Sequence, residues 1–290
     1  MLQSSKDLNF AIIITTVVFL VELVGGYISG SLALISDSFH MFVDVFALTI
    51  TYVSLTIAQS LPTKARTFGL HRAEILAALF NGLLLLGITS VIIFKAVARI
   101  FSPTEIHTVQ LLGFACIGLL ANLLIITRLV HYKDINLKGA FLHVLSDTLS
   151  SFAVVIGAVI MYFTGFTKID SIISIIIAVI IVYTAVHLVS EALHILLQSV
   201  PKGIDLDIIV KEVKKIPSVE SIHSIQIWSL CSNVNVMTAH VLTSANNLLQ
   251  SHILAEKITK KLKKYNIKHT TFQFEFSACK INGKLRKVKH

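Results

Sequence analysis

Six long, mostly apolar stretches fill the first 200 positions of this 290-residue chain. They run over residues 8–28, 32–61, 72–101, 109–131, 137–163 and 169–197. A helix needs roughly 20 apolar residues to cross a bilayer. Lipid admits only helices or closed barrels, because every backbone polar group must be satisfied internally. These runs are too long and too continuously apolar for barrel strands. The expected fold is an α-helical membrane protein with six transmembrane helices in a domain spanning residues 1–200. Composition agrees: 54% of residues are hydrophobic and 14% charged, against roughly 25% charged in an average globular protein. A soluble globular enzyme and a disordered chain are both excluded.

The net charge of +9 belongs elsewhere. Residues 1–200 hold 10 Lys/Arg and 10 Asp/Glu, whereas residues 201–290 hold 15 and 6. Eleven basic residues against Glu275 alone lie between Lys257 and His290. Beneath anionic lipids such an excess favours the membrane surface, so the expected partner is the bilayer and no nucleic acid. Cys116, Cys231 and Cys279 show no CxxC, hence no disulfide framework and no thiolate metal knuckle. The N-terminus lacks a basic region ahead of a short apolar core, so no cleaved signal peptide is expected.

Six spans put both termini on one side. Lys64, Arg66 and Arg72 lie between spans 2 and 3, and Arg128, Lys133 and Lys138 between spans 4 and 5. The opposite loops are poor in basic residues, apart from Lys168 and from Lys95 and Arg99 at the end of span 3. The positive-inside rule then places both termini in the cytoplasm.

A charge at mid-bilayer costs at least ~2.5–3.5 kcal/mol, so ionisable residues within spans mark function. Span 2 reads SDSFHMFVD, with Asp37, His40 and Asp44 at i, i+3 and i+7 on one helix face. Span 5 reads FLHVLSD, with His143 and Asp147 at i and i+4. Brought together, His40, Asp44, His143 and Asp147 form a two-nitrogen, two-oxygen set suited to a tetrahedral divalent ion of the zinc type. Two carboxylates neutralise the ion's charge. Lone histidines in spans are more often hydrogen-bonded between helices than ligands. His107, His131, His187 and His194 are therefore read as structural. Asp37, with Glu74 and Asn81 at i and i+7 on span 3, is assigned to the surroundings of the metal or to a proton pathway. Glu22 and Glu191 could move protons or bond between helices, and the interhelix bond is favoured.

After QSVP the periodicity changes. Residues 206–216 have helical spacing, 221–230 and 234–243 alternate as strands, 247–265 form an amphipathic Lys-rich helix, and 270–278 alternate again. The order α-β-β-α-β implies a two-layer α+β domain over residues 201–280, followed by a basic tail, 281–290. So small a domain is marginal alone, which makes dimerisation a plausible supplement. It carries His223, His240, His252, His269 and Glu275. Surface histidines account for these as well as a metal site does by spacing alone.

These segments together resemble the cation diffusion facilitator family. The signatures are SLALISDSFHMFVD in span 2, FGLHRAEILAALFNG entering span 3, KGAFLHVLSD in span 5, ALHILLQSVPKGID at the junction, and IHSIQIWSL with AHV in the strands. The chain is most similar to the zinc-transporting subgroup, whose span site is His-xxx-Asp on both helices; His40, Asp44, His143 and Asp147 fall on those positions. The resemblance implies a homodimer of six-helix units with ferredoxin-like, metallochaperone-like cytoplasmic domains. It implies export of metal against protons, with Zn2+ as substrate and regulatory ligand and protons as counter-ion. It also assigns His223, His240, His252, His269 and Glu275 to a cytoplasmic regulatory site. Gln226 stands where the family has a second histidine in the first strand. The linker of Lys64, Arg66 and Thr67 lacks a His/Asp cluster, and the loop YKDINLK is short. This favours a bacterial-type protein of the inner membrane. Alternative cargoes are Cd2+, Co2+, Fe2+ and Mn2+. An intramembrane metalloenzyme is the distant alternative. Four protein ligands leave no open position for water, and no HExxH occurs, so an enzyme is not expected.

Overall fold

The computed structural model describes residues 2–58, 63–129, 135–231, 234–245 and 247–276. Six long helices come first: α1 (Leu2–Ser29), α2 (Leu32–Ala58), α3 (Arg72–Phe101), α4 (Thr108–Leu129), α5 (Ile135–Thr164) and α6 (Lys168–Leu196). Among the described residues, five of these carry apolar segments long enough to cross a membrane, and α2 carries a shorter one, Leu32–Val43. By contact the chain divides into two compact units. One comprises residues 1–53 and 77–189, the other 54–76 and 190–290.

The first unit inverts the distribution of a soluble protein. Phe94, Tyr162, Phe163, Tyr183 and Val179 are exposed, while Glu22, Ser36, Asp37, Asn81, Asn122, Asp147, Ser151 and Asp170 are buried. An apolar exterior around a polar interior is what lipid selects, since a lipid-facing polar group loses its hydrogen bonds. Between the helices lies a cluster of small and branched residues, including Ala33, Leu34, Leu111, Ala115, Ala158, Met161, Ile181 and Ala185. Small residues allow the close backbone approach that holds helices together in a membrane.

Only Gly30 and Ser31 separate α1 from α2. Gly25 and Gly26 are helical. Gly25 serves packing, because a Cβ there would overlap the Phe114 ring of α4. The chain reverses at Gly30, whose φ of +72° suits glycine. The Ser31 hydroxyl then accepts from Leu34 N–H at 3.1 Å as the cap of α2. Asp170, from the first turn of α6, completes that cap across the bundle. It accepts from the Ser31 hydroxyl, from Leu32 N–H at 2.8 Å and from Ala33 N–H at 3.3 Å. Arg99 of α3 donates to Gly30 O. That contact explains one basic residue at the otherwise base-poor end: Arg99 is bound to backbone there.

The second unit holds the predicted α-β-β-α-β order: α7 (Leu206–Lys214), β1 (Val219–Cys231), β2 (Val234–Thr243), α8 (Leu248–Leu262) and β3 (Ile267–Glu275). β3 starts three residues earlier than the sequence pattern indicated. Asp205 caps α7 by accepting from Asp207 N–H at 2.7 Å, and Asn247 caps α8 by accepting from Gln250 N–H at 2.8 Å. The sheet order is β1-β2-β3. β1 and β2 are antiparallel, and β2 and β3 are parallel, joined through α8. Ile209 and Val213 of α7, with Leu254, Ile258 and Leu262 of α8, pack on Ile222, Ile225 and Ile227 of β1, Met237, Ala239 and Val241 of β2 and Ile267 of β3. The helices thus cover one face of the sheet. His240, between Ala239 and Val241, points to the other face.

Candidate metal centres

Within the first unit, α2 and α5 meet through polar side chains. His40 Nε2 lies 3.6 Å from Asp147 Oδ1, with Asp147 nearly buried and His40 partly so. That separation is too long for a hydrogen bond. It is close to the roughly 3.3 Å between tetrahedral ligand atoms on a zinc ion with bonds of about 2.0–2.1 Å. Asp44 and His143 lie on the same two helices, but their side chains fall outside the described residues. One turn before His40, Asp37 accepts from the Ser150 hydroxyl and from the Ser151 hydroxyl at 3.0 Å. Asn122 of α4 donates to the Ser151 oxygen at 3.2 Å. This network ties α2, α4 and α5 together one turn from His40 on α2 and from Asp147 on α5.

On α3, Asn81 is buried, and its side-chain oxygen has no hydrogen-bond partner among the described residues. Glu74 is half-buried in the first turn of α3, where a carboxylate complements the helix dipole. The two residues fall in different compact units. Glu191 Oε2 lies 3.9 Å from Lys202 Nζ. Glu22 departs from the expected interhelix bond: both of its carboxylate oxygens are buried without a hydrogen-bond partner among the described residues. His194 keeps its structural reading, with Nε2 2.8 Å from Val200 O.

The second unit brings three of the five expected residues together on the open face of its sheet. His223 of β1 and His240 of β2 are cross-strand partners, with ring centroids 5.3 Å apart. Gln273 of β3 stands opposite His240, and Glu275, two residues on, shares that face. Glu275 Oε1 lies 2.7 Å from His240 Nδ1, and Oε2 lies 3.3 Å from His223 Nε2. The latter two atoms are misaligned for hydrogen bonding and are buried without one. Among the described residues, ligand atoms of His223, His240 and Glu275 all lie within 4.8 Å of one another. Two imidazoles and a carboxylate are a recurrent donor set for zinc, with a fourth position left for another ligand.

A bulge builds this trio. Between His223 and Gln226 the β1 strand advances three residues while β2 advances two, from His240 to Thr238. Ser224 takes up the extra residue at φ 51°, so His223 and Gln226 share a face that strict alternation would deny them. Gln226 accepts from Thr238 at 3.1 Å. With Thr238, Gln273 and His240 it lines a cavity of about 190 Å³ beside the trio. Neither His252 nor His269 adds a ligand atom to the cluster. His252 is exposed on α8, 3.7 Å from Glu256. His269 is exposed on the same face of β3 as Glu275 but six residues earlier, about 20 Å at the rise of a strand. Residues 281–290 and Cys279 lie outside the described residues.

A bundle of long helices with an apolar exterior and polar interior, followed by a small two-layer α+β domain, defines a multi-pass membrane protein with an appended domain. Residues 8–197 match the family described as "Cation efflux transmembrane domain", and residues 201–277 match "Cation efflux protein, cytoplasmic domain". The chain belongs to the cation efflux, or cation diffusion facilitator, family. Among its relatives is the "Cation efflux system protein CzcD" of Alcaligenes sp. (strain CT14), 37% identical over 95% of this chain and 88% of that protein. The "Zinc transporter ZitB" of Yersinia pestis is 37% identical over 96% of this chain and 89% of its own length. The "Cadmium, cobalt and zinc/H(+)-K(+) antiporter" of Bacillus subtilis (strain 168) is 32% identical over 95% and 90%.

Proposed function

We infer that this chain exports divalent cations, Zn2+ foremost, in exchange for protons by alternating access. The observation that carries this reading is the buried approach of His40 to Asp147 between α2 and α5, backed by Asp37, Ser150 and Ser151. Asp44 and His143 complete the ligand set on the same helices. The names of the relatives support the cargo and the counter-ion: two carry zinc, and one carries cadmium, cobalt and H+ as well.

Cytosolic metal enters between α2 and α5 and binds the four ligands. The bundle then rocks to face the other side of the membrane. Imidazole must be neutral to bind metal, so protons and the ion compete for His40 and His143. Proton entry from the acidic side therefore ejects the ion. Residues 1–200 act as the transport domain, in a bacterial inner membrane with both termini cytoplasmic. Residues 201–280 serve as the sensing and dimerising domain of a homodimer, followed by the basic tail, residues 281–290. His223, His240 and Glu275 hold a regulatory ion, and His252 and His269 drop out of that set.

The test is Zn2+ flux in proteoliposomes together with Zn2+ binding to the purified protein. Asp44→Ala and Asp147→Ala should each abolish flux and remove one bound ion per chain. Flux that survives either substitution would sink the assignment. Competition with Cd2+, Co2+, Fe2+ and Mn2+ then orders the cargoes.

A further inference from the structure

Glu22 sits within α1 with apolar neighbours Val21 and Leu23, and it is fully buried. Both carboxylate oxygens lack a hydrogen-bond partner among the described residues. The room for its head is made by Gly118 of α4, since a Cβ there would overlap Glu22 Oε1. One turn further on, Gly25 admits Phe114 of the same helix. A carboxyl group is thus lodged in an apolar helix contact.

The charged and titratable groups around it come from known elements. Between Thr108 and Leu129, α4 carries no acidic residue or histidine; its titratable groups are Cys116, half-buried two residues before Gly118, and Arg128 in its last turn. α2 contributes Asp37, with His40 one turn beyond it, and α5 contributes Asp147. The Asp37 and Asp147 carboxylates lie within electrostatic reach of Glu22. From residue 12 to Ser29, α1 itself adds Tyr27 alone, which is exposed.

We propose that Glu22 is a proton-carrying site of the antiporter, separate from the metal ligands. It holds a proton when the α2/α5 site is empty and releases it when a divalent cation occupies that site. This rests on the transport reading above. A bare carboxylate without hydrogen bonds, close to two others, is costly in such a place, and the neutral acid avoids that cost. A dication between α2 and α5 reverses the local field. The anion at Glu22 is then stabilised, and its proton leaves. By linkage, a proton returning to Glu22 weakens metal binding by the same factor. Glu22 therefore couples the two ions without touching the metal.

The experiment counts protons released on Zn2+ binding to the full-length protein in nanodiscs, by calorimetry in buffers of different ionisation enthalpy. Glu22→Gln, which keeps the shape, should still bind Zn2+ but release about one proton fewer per ion. The dependence of log affinity on pH should flatten by the same amount. An unchanged proton count and pH slope in Glu22→Gln would overturn the assignment while leaving the transport reading intact. If Zn2+ displaces no protons from the wild type, the transport reading fails and this inference with it. Should Glu22→Gln not fold, the wild type decides. An apolar carbodiimide, which reacts with protonated carboxyls, should label Glu22 in zinc-free protein and fail to do so once Zn2+ is bound. Labelling that is absent from zinc-free protein, or indifferent to Zn2+, overturns the proposal.

Discussion

Replacing Asp170 by alanine removes the cap that α6 places on α2. Three donors then lose their acceptor in a buried setting: the Ser31 hydroxyl, Leu32 N–H at 2.8 Å and Ala33 N–H at 3.3 Å. Hydrogen bonds to a charged group are worth about 1.5–3 kcal/mol, and a stranded buried donor costs about 1–3 kcal/mol. The longest of the three is weak, and loss of the carboxylate also relieves its own desolvation. The net destabilisation from two strong hydrogen bonds and one weak one is expected at about 3–5 kcal/mol. In detergent, that corresponds to a fall of roughly 6–20 °C in apparent Tm. Asp170→Asn keeps an acceptor oxygen but not the charge, so it should lose less than Asp170→Ala. The control is Glu256→Ala, an exposed change on α8. A Tm fall for Asp170→Ala no larger than for this control would refute the trans-cap argument.

Three further outcomes follow from the same packing and hydrogen bonds. Gly25→Ala should destabilise by about 1–3 kcal/mol through overlap with Phe114, whereas Gly87→Ala and Gly113→Ala, which meet nothing within 4 Å, should be neutral or mildly stabilising; thermal unfolding in one detergent compares them. In protein whose membrane site is disabled by Asp147→Ala, His240→Ala or Glu275→Ala should remove the remaining bound Zn2+, and His252→Ala should not, as read by equilibrium dialysis; in protein with an intact membrane site, an unchanged metal dependence of transport after His240→Ala and Glu275→Ala would contradict the regulatory role. Hydrogen bonds from Lys215 and Lys264 hold the half-buried Glu212 carboxyl down at about 2 from an ordinary value of 4.5. Its contribution to stability is therefore full above pH 4.5 and lost as pH falls towards 2, so the Tm gap between wild type and Glu212→Gln should close across that window.

The helices of the membrane domain were legible because a hydrophobic run needs no partner to be recognised. The α-β-β-α-β order was legible because the period switches between 3.6 and 2 wherever a helix meets a strand. What escaped are the features made by distant partners. Nothing near Asp170 in sequence marks it as the cap of a helix that begins 138 residues earlier at Leu32. A Gly-Gly pair is a turn signal by residue type, yet Gly25 and Gly26 are packing positions within α1. The bulge at Ser224 was hidden because Ile222, Ile225 and Ile227 still look like strand residues, although Ile222 to Ile225 is an odd step. At the candidate sites, helical spacing placed His40 and Asp147, whose side chains do approach. For the second cluster, residue type alone could not separate His223 and His240 from His252 and His269. Only the strand register and the exposure of α8 do that.

Uphill transport by the wild type tests the central claim most directly. Proteoliposomes with an acidic lumen and equal Zn2+ on both sides are followed with a zinc indicator and a pH indicator together. The account predicts Zn2+ accumulation in the lumen with simultaneous proton loss, abolished when the pH gradient is collapsed. Zn2+ that merely equilibrates, or accumulates equally without a gradient, would contradict it.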